Sequence, residues 1–228
     1  MKKRFRAALD LSGSAARFAL ADAAGGRLAC VRQPMRRHEA AGLADFMART
    51  LAECGGDLTE VAEWSVGTGP GSFTGMRLAA ALVAGLSHGR AEVATRGVPT
   101  ATALGVTGAP ELPEGALSAV LFDGRNRELL LYPLRRNAWG LDESAGEGLV
   151  LNAAQAADYF ARARFAALSV QLEELDAVTA LLPAAVAAVL RAVSDFDLMP
   201  LIQARNAFDG NLKDLIYIRP AVFPVTAA

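Results

Sequence analysis

The sequence predicts an α/β fold with mixed sheets, arranged in two lobes. Three observations carry that expectation. Short apolar runs separated by Ser-Gly-Ser and Gly-Gly turns open the chain as a β-meander. Helix, strand and helix patterns follow. Residues 107–116 (TGAPELPEGA), rich in Gly and Pro and without periodicity, then divide the chain. The expected lobes are residues 1–106 and 107–228. A hydrophobic content of 53% with 21% charged residues suits a soluble, well-packed protein of this length.

Taken in order, residues 5–11 (FRAALDL) and 16–21 (ARFALA) read as strands joined by the turn at 12–14. A third strand, 27–32 (RLACVR), follows Gly25-Gly26. Over 38–54, Leu43, Phe46, Met47, Leu51 and Cys54 recur at three- and four-residue intervals, which makes one apolar helix face that Gly55-Gly56 ends. Residues 62–67 form a strand leading into a glycine-rich loop. Helical periodicity resumes from Thr74 to about His88, where Gly89 is a fitting terminator. A strand near 92–95 and a helix near 99–106 complete the first lobe. In the second, 117–122 and 128–134 read as strands about Asp123-Gly124-Arg125-Asn126. Helices are expected near 152–163 and 183–194, and a last strand over 215–219 before Pro220.

Composition excludes some functions. A net charge of −1 provides no global attraction to nucleic acid or acidic membranes, although Lys2, Lys3, Arg4 and Arg6 cluster at the start. Cys30 and Cys54 stand in no metal spacing and read as reduced thiols of a cytosolic protein. Arg6, Asp10 and Arg17 interrupt any apolar leader, and the apolar stretch 78–86 is too short to span a bilayer. The expected location is the cytoplasm, away from membranes. His38 and His88 stand fifty residues apart, neither with a histidine four residues on, so no metal site is expected.

The most informative stretch is SVGTGPGSFTGMRLAAALVAGLSHG, residues 65–89. A strand, a glycine loop and a helix can cradle phosphate, because free N–H groups gather at a helix start. The known spacings fail here. Gly75 is followed by Met76 where a Walker loop needs Lys, and Thr74 stands where a dinucleotide fingerprint needs its third Gly. The alternative is a tight turn that aims the helix, with Ser72 or Thr74 as cap. That helix is unusual. Leu78, Leu82 and Leu86 form a ridge, and Ala79, Ala80, Ala81, Ala84 and Gly85 cover most of the rest. With almost no polar face it must be covered nearly all round, inside the fold or partly by another chain.

Asp10 ends the first strand beside a Ser-Gly-Ser turn. It is either a turn-capping carboxylate or the counterpart of the Asp that holds metal and phosphate in actin-like kinases. Asp123, Arg125 and Glu128 surround a second turn, as an inter-lobe ion pair or a solvated hairpin.

The run Gly69-Pro70-Gly71-Ser72-Phe73-Thr74-Gly75-Met76-Arg77 closely resembles the signature of the TsaB family, formerly YeaZ. Leu9-Asp10-Leu11-Ser12 is similar to that family's opening strand end. His38-Glu39 is similar to the start of its first helix, and Phe122-Asp123-Gly124-Arg125 with Glu128 to its second-lobe hairpin. Tyr217-Ile218-Arg219 is similar to its C-terminal Tyr-Leu-Arg. Leu11, Ala79 and Leu215 depart from the pattern, and residues 135–212 match no motif. The resemblance implies a two-lobed actin-like (ASKHA, ribonuclease H-like) fold with a degenerate nucleotide site in which Asp10 and Ser12 would be vestigial.

It further implies a non-catalytic subunit of the machinery that makes threonylcarbamoyladenosine at position 37 of tRNA. Such a subunit would have no metal and no intrinsic cofactor, with ATP or ADP at its junction with TsaD. The partners would be TsaD, then TsaE on the pair, with tRNA reached only through the complex and a homodimer in isolation. The implied partner surface lies on the first-lobe helices, about 38–54 and 74–88. On the first it comprises His38, Leu43, Phe46 and Met47. Around the second it comprises Gly71, Phe73, Thr74, Met76, Arg77, Ala80, Ala81, Leu82 and Ala84. The competing readings are an actin-like phosphotransferase, a metallopeptidase-like enzyme, and a diverged homodimeric binding protein.

Overall fold

The computed structural model describes residues 4–35 and 39–217. Strands β1 (Phe5–Asp10), β2 (Ala15–Ala21) and β3 (Arg27–Pro34) form the expected meander, followed by α1 (Leu43–Glu53), β4 (Val61–Gly67), α2 (Phe73–Ser87), β5 (Ala94–Val98) and α3 (Thr100–Gly108). The sheet order is β3-β2-β1-β4-β5, antiparallel within the meander and parallel from β1 through β4 to β5. The second part holds β6 (Leu117–Asp123), β7 (Leu129–Arg136), β8 (Asp142–Ser144), β9 (Leu149–Leu151), α4 (Ala153–Arg162), β10 (Ala167–Gln171), α5 (Leu175–Thr179), α6 (Ala184–Ala187), β11 (Leu190–Val193) and α7 (Met199–Gln203). Its sheet runs β11-β10-β6-β7-β8, with β9 also paired to β7.

Period-two alternation along β1 sorts the layers. Phe5, Ala7 and Leu9 face α1 and α2, where Leu43, Phe46, Met47, Leu51, Ala79 and Val83 complete one core. Ala8 faces the other way, with Ala19 and Ala21. These small residues admit α3 and α7, whose Ala101, Leu104, Leu201 and Ile202 pack on to Val120, Phe122, Tyr132 and Leu134 of the second sheet. Outside that sheet α4 and α5 close a third core through Phe160 and Val178. The two mixed sheets are therefore stacked with α3 and α7 between them.

Two expectations fail. The Ala-rich run 183–194 is not one helix. It makes the single turn of α6 and then extends as β11, parallel to β10. Pairing and the burial of Val193 outweigh a helix propensity worth only tenths of a kcal/mol per residue. No strand forms over 215–217. Leu215 and Ile216 donate to the carbonyls of Lys213 and Thr68 in an irregular segment, and residues 218 and 219 lie outside the described residues. Strand β10, buried throughout, went unread because its five residues carry no flanking turn signal strong enough to separate it from α4.

A buried ion pair fixes the second sheet. Arg136 Nε donates to Asp142 at 2.6 Å, and its other nitrogens donate to the carbonyls of Ala109, Pro110 and Leu112. Among the described residues no helix is long and apolar enough to cross a membrane.

Candidate functional site

The loop between β4 and α2 is built by close approach. Gly69 has φ +95°, a left-handed backbone that disfavours any side chain, and the Gly69-Pro70 peptide is cis. A Cβ at Gly71 would overlap the Ser12 carbonyl oxygen, and one at Gly75 would overlap that of Leu11. The loop therefore lies directly on the β1–β2 turn. Ser72 N donates to Ser12 O at 2.6 Å, and Ser72, rather than Thr74, caps α2 by accepting from Gly75 N at 3.2 Å. These two N–H groups face protein, so the loop is seated on the β1–β2 turn and aims the helix.

On α2, Gly75, Met76, Ala79 and Val83 face the sheet. Leu78, Leu82 and Leu86 flank that face and pack against the same core. The helix is not covered all round, because a sheet reaches only one side of it. Thr74, Arg77, Ala81, Ala84 and Gly85 are exposed, and Ala80 and Leu82 are half-buried. Gly71 and Phe73 are exposed at its start. On α1, Leu43, Phe46 and Met47 are buried in the core, as Met76 is on α2. These four residues hold the helices to the sheet and offer no surface to a partner. The outward side of α1 is Asp45, Arg49, Ala52 and Glu53. His38 lies outside the described residues.

A cleft of about 570 Å³ opens between the two sheets, lined by the turn Ser12–Ser14, by Gly71 and Ser72, by Asp123–Arg125, and by Gln171, Glu173 and Glu174. Asp10 is not on its wall. It is fully buried, accepting from Thr100 Oγ1 at 2.7 Å and from Ser12 N at 3.3 Å. Burial pushes its carboxyl above the usual range, against the opposing pull of Thr100, Ser12 and Arg17. Gly67 seals it from one side, since a Cβ there would overlap Asp10 Oδ1. Ser12 lines the cleft but is itself buried.

The turn between β6 and β7 is a hairpin held by its own residues and by Glu174. Asp123 accepts from Arg125 N at 2.9 Å, and Arg125, Asn126 and Arg127 all have positive φ, at 61°, 51° and 62°. Glu174 accepts from Asp123 N at 2.9 Å, and burial raises its carboxyl too. The contacts that tie the sheets together lie elsewhere, where sequence reading missed them: Arg17 to Asp195, Arg27 to Asp197 and Arg32 to Glu173. No local signal announces pairs more than a hundred residues apart. Cys30 and Cys54 are half-buried, and burial pushes the Cys30 thiol up to about 11, so at neutral pH it is a thiol and not a nucleophile. Among the described residues no group of three or more His, Cys, Asp and Glu could hold a metal ion.

A family model described as TsaD, tRNA N6-adenosine threonylcarbamoyltransferase, matches residues 33–180, well over half of the chain. The chain belongs to that family. Solved structures agree on the architecture of this TsaD-family chain. One is an uncharacterised protein similar to peptidase YeaZ from Pseudomonas aeruginosa, 23% identical, with TM-score 0.67 over 88% of this chain and 89% of that one. YeaZ from Pseudomonas aeruginosa is 24% identical, with the same TM-score over 87% of this chain and 89% of that one. Ethanolamine utilization protein EutJ from Carboxydothermus hydrogenoformans is 9% identical, with TM-score 0.52 over 87% and 88%. At these identities the likenesses establish the actin-like fold. No curated protein matches the sequence. The TsaB-like motif string thus sits in a TsaD-family chain with a YeaZ-like fold.

Proposed function

We propose that this chain is a TsaB-type, non-catalytic subunit of the machinery that installs threonylcarbamoyladenosine at position 37 of tRNA. It acts in the cytoplasm, docking TsaD on the outer sides of α2 and α1, and TsaE joins the pair. ATP or ADP sits at the TsaD junction, tRNA is reached through the complex, and the same face supports a homodimer when the chain is alone. The observation that carries the reading is the bare side of α2. A fifteen-residue helix, held to its sheet through one face, leaves Ala81, Ala84 and Gly85 exposed, so a second backbone can approach closely. The sealed Asp10 supports the non-catalytic part, since a buried, hydrogen-bonded carboxyl is poorly placed to bind a metal–nucleotide.

The test is reconstitution. Adding this chain to TsaD, TsaE, ATP, a source of threonylcarbamoyl-adenylate and tRNA is expected to restore modification, and Ala84→Glu to abolish both TsaD binding and restoration. The description of the matched family as a transferase favours a second reading, in which this chain carries out the transfer itself. Modified tRNA formed by the lone chain from the adenylate would establish that reading and remove the first.

Asp10→Asn separates structural from chemical use of the carboxyl. The folded pKa is raised, so the folded chain retains a proton that the unfolded chain releases, and Asp10's contribution to stability falls as pH climbs through the raised value. The amide does not titrate. The melting temperature of Asp10→Asn relative to the parent is therefore expected to rise as pH is raised from below the ordinary carboxylate value of 3.8, with reconstituted modification unchanged. A folded variant that no longer supports modification would put Asp10 in the chemistry.

A further inference from the structure

At the start of α2, Arg77 is held in an aromatic bracket. Its guanidinium lies 3.7 Å from the Phe73 ring centroid and 5.9 Å from that of Tyr217, and the two rings stand 4.8 Å apart. Arg77 Nε donates to Tyr217 Oη at 3.2 Å. The bracket depends on a distant part of the chain, because Tyr217 is set beside α2 by Ile216 N donating to Thr68 O at 2.9 Å. All three side chains are exposed, Phe73 at 37% and Tyr217 at 36%.

Stacking and the Nε bond fix the plane of the guanidinium and leave its other edge toward solvent. Among the described side chains no carboxylate pairs with it. Helix α2 has no acidic residue. A planar fork held in this way matches a carboxylate bidentately, with little side-chain entropy left to lose. The small-residue face beside it is bordered by both Lys213 and Asp209, a mixed charge that suits one acidic side chain rather than a polyanion, which needs a track of cations.

We propose that Arg77 is the charged anchor of the α2 docking face, that it pairs with a carboxylate presented by the partner protein, and that Tyr217 is its positioning residue. This rests on the docking reading above and adds which residue selects the partner. The test measures binding of the full chain to TsaD by titration calorimetry at several salt concentrations. Arg77→Ala is expected to weaken binding about tenfold or more and to flatten its salt dependence, as loss of a paired anchor does. Arg77→Lys keeps the charge but loses the fork and the stack, and is expected to recover only part of the affinity. Tyr217→Phe retains the ring and is expected to weaken binding about threefold, with no further loss on top of Arg77→Ala, since the two act as one unit.

If Ala84→Glu abolishes binding while folded Arg77→Ala and Tyr217→Phe bind as the parent does, the anchor assignment falls and the docking face stands. If Ala84→Glu also binds as the parent does, both fall. Loss of tRNA binding in Arg77→Ala with TsaD affinity unchanged would replace the carboxylate by a phosphate and overturn the proposal.

Discussion

Gly75→Val is expected to lower stability by about 3 kcal/mol, at the upper end of overpacking costs. The reason is where the new atoms go. Gly75 is buried on the sheet side of α2, and a Cβ there falls on the Leu11 carbonyl, a backbone group that no rotamer change can move. Relief requires lifting the first turn of α2 from the β1–β2 turn. That also stretches the bond from Ser72 N to Ser12 O, worth about 1 kcal/mol. Helix propensity works the other way, but removing glycine from a helix gains at most about 1 kcal/mol, so the clash decides the sign. Gly85 is the internal control. It lies on the same helix, exposed, with nothing within 4 Å of an added methyl group, so Gly85→Ala should stabilise by about 0.5–1 kcal/mol. Urea unfolding of both variants reads the contrast. Equal midpoints for Gly75→Val and the parent would mean that the loop is not seated on the turn.

Arg96→Met is expected to cost about 4 kcal/mol, because it strips the donor from several buried carbonyls, each costing about 1–3 kcal/mol when left unpaired. Arg96 is buried on β5, and its guanidinium makes five hydrogen bonds: Nε to Ser65 Oγ, Nη1 to the carbonyls of Ala204 and Asn206, and Nη2 to those of Leu201 and Ile202. It also stacks on Phe208 at 4.1 Å. Four of its acceptors are backbone carbonyls at or just after α7, the end of a helix that methionine cannot satisfy. Arg96→Lys keeps charge but lacks the fork, and should fall between the two. The urea midpoint measures the loss. Limited proteolysis over 204–217 is expected to quicken in Arg96→Met, because this arginine fastens the segment that leads to Tyr217. A midpoint within about 1 kcal/mol of the parent would show that water replaces the guanidinium without loss.

Much of the first sheet was legible because its signals are local. The meander turns, the apolar face of α1 and the glycine loop before α2 are each written within a dozen residues, and the structure reproduces them within a few positions. The second sheet was read less well. Its strands β10 and β11 are short, parallel and defined by partners distant in sequence, and the Ala-rich run before β11 points locally to the wrong element. The site divides in the same way. Phe73, Thr74, Arg77, Ala81 and Ala84 were named from sequence and are exposed, whereas Leu43, Phe46, Met47 and Met76 were named with them and lie in the core. Periodicity identifies an apolar helix but not which of its sides the sheet will cover.

By itself the sequence determined the strand–loop–helix at 61–87, the family to which its motif string points, and the glycines without which α2 could not approach β1. Those depend on steric and hydrogen-bonding rules acting between near neighbours. Only the tertiary structure decided that Asp10 is sealed behind Thr100, that Arg96 binds α7, and that Tyr217 brackets Arg77 across 140 residues. Each of these is a contact between segments brought together by two stacked sheets, and no local propensity encodes it.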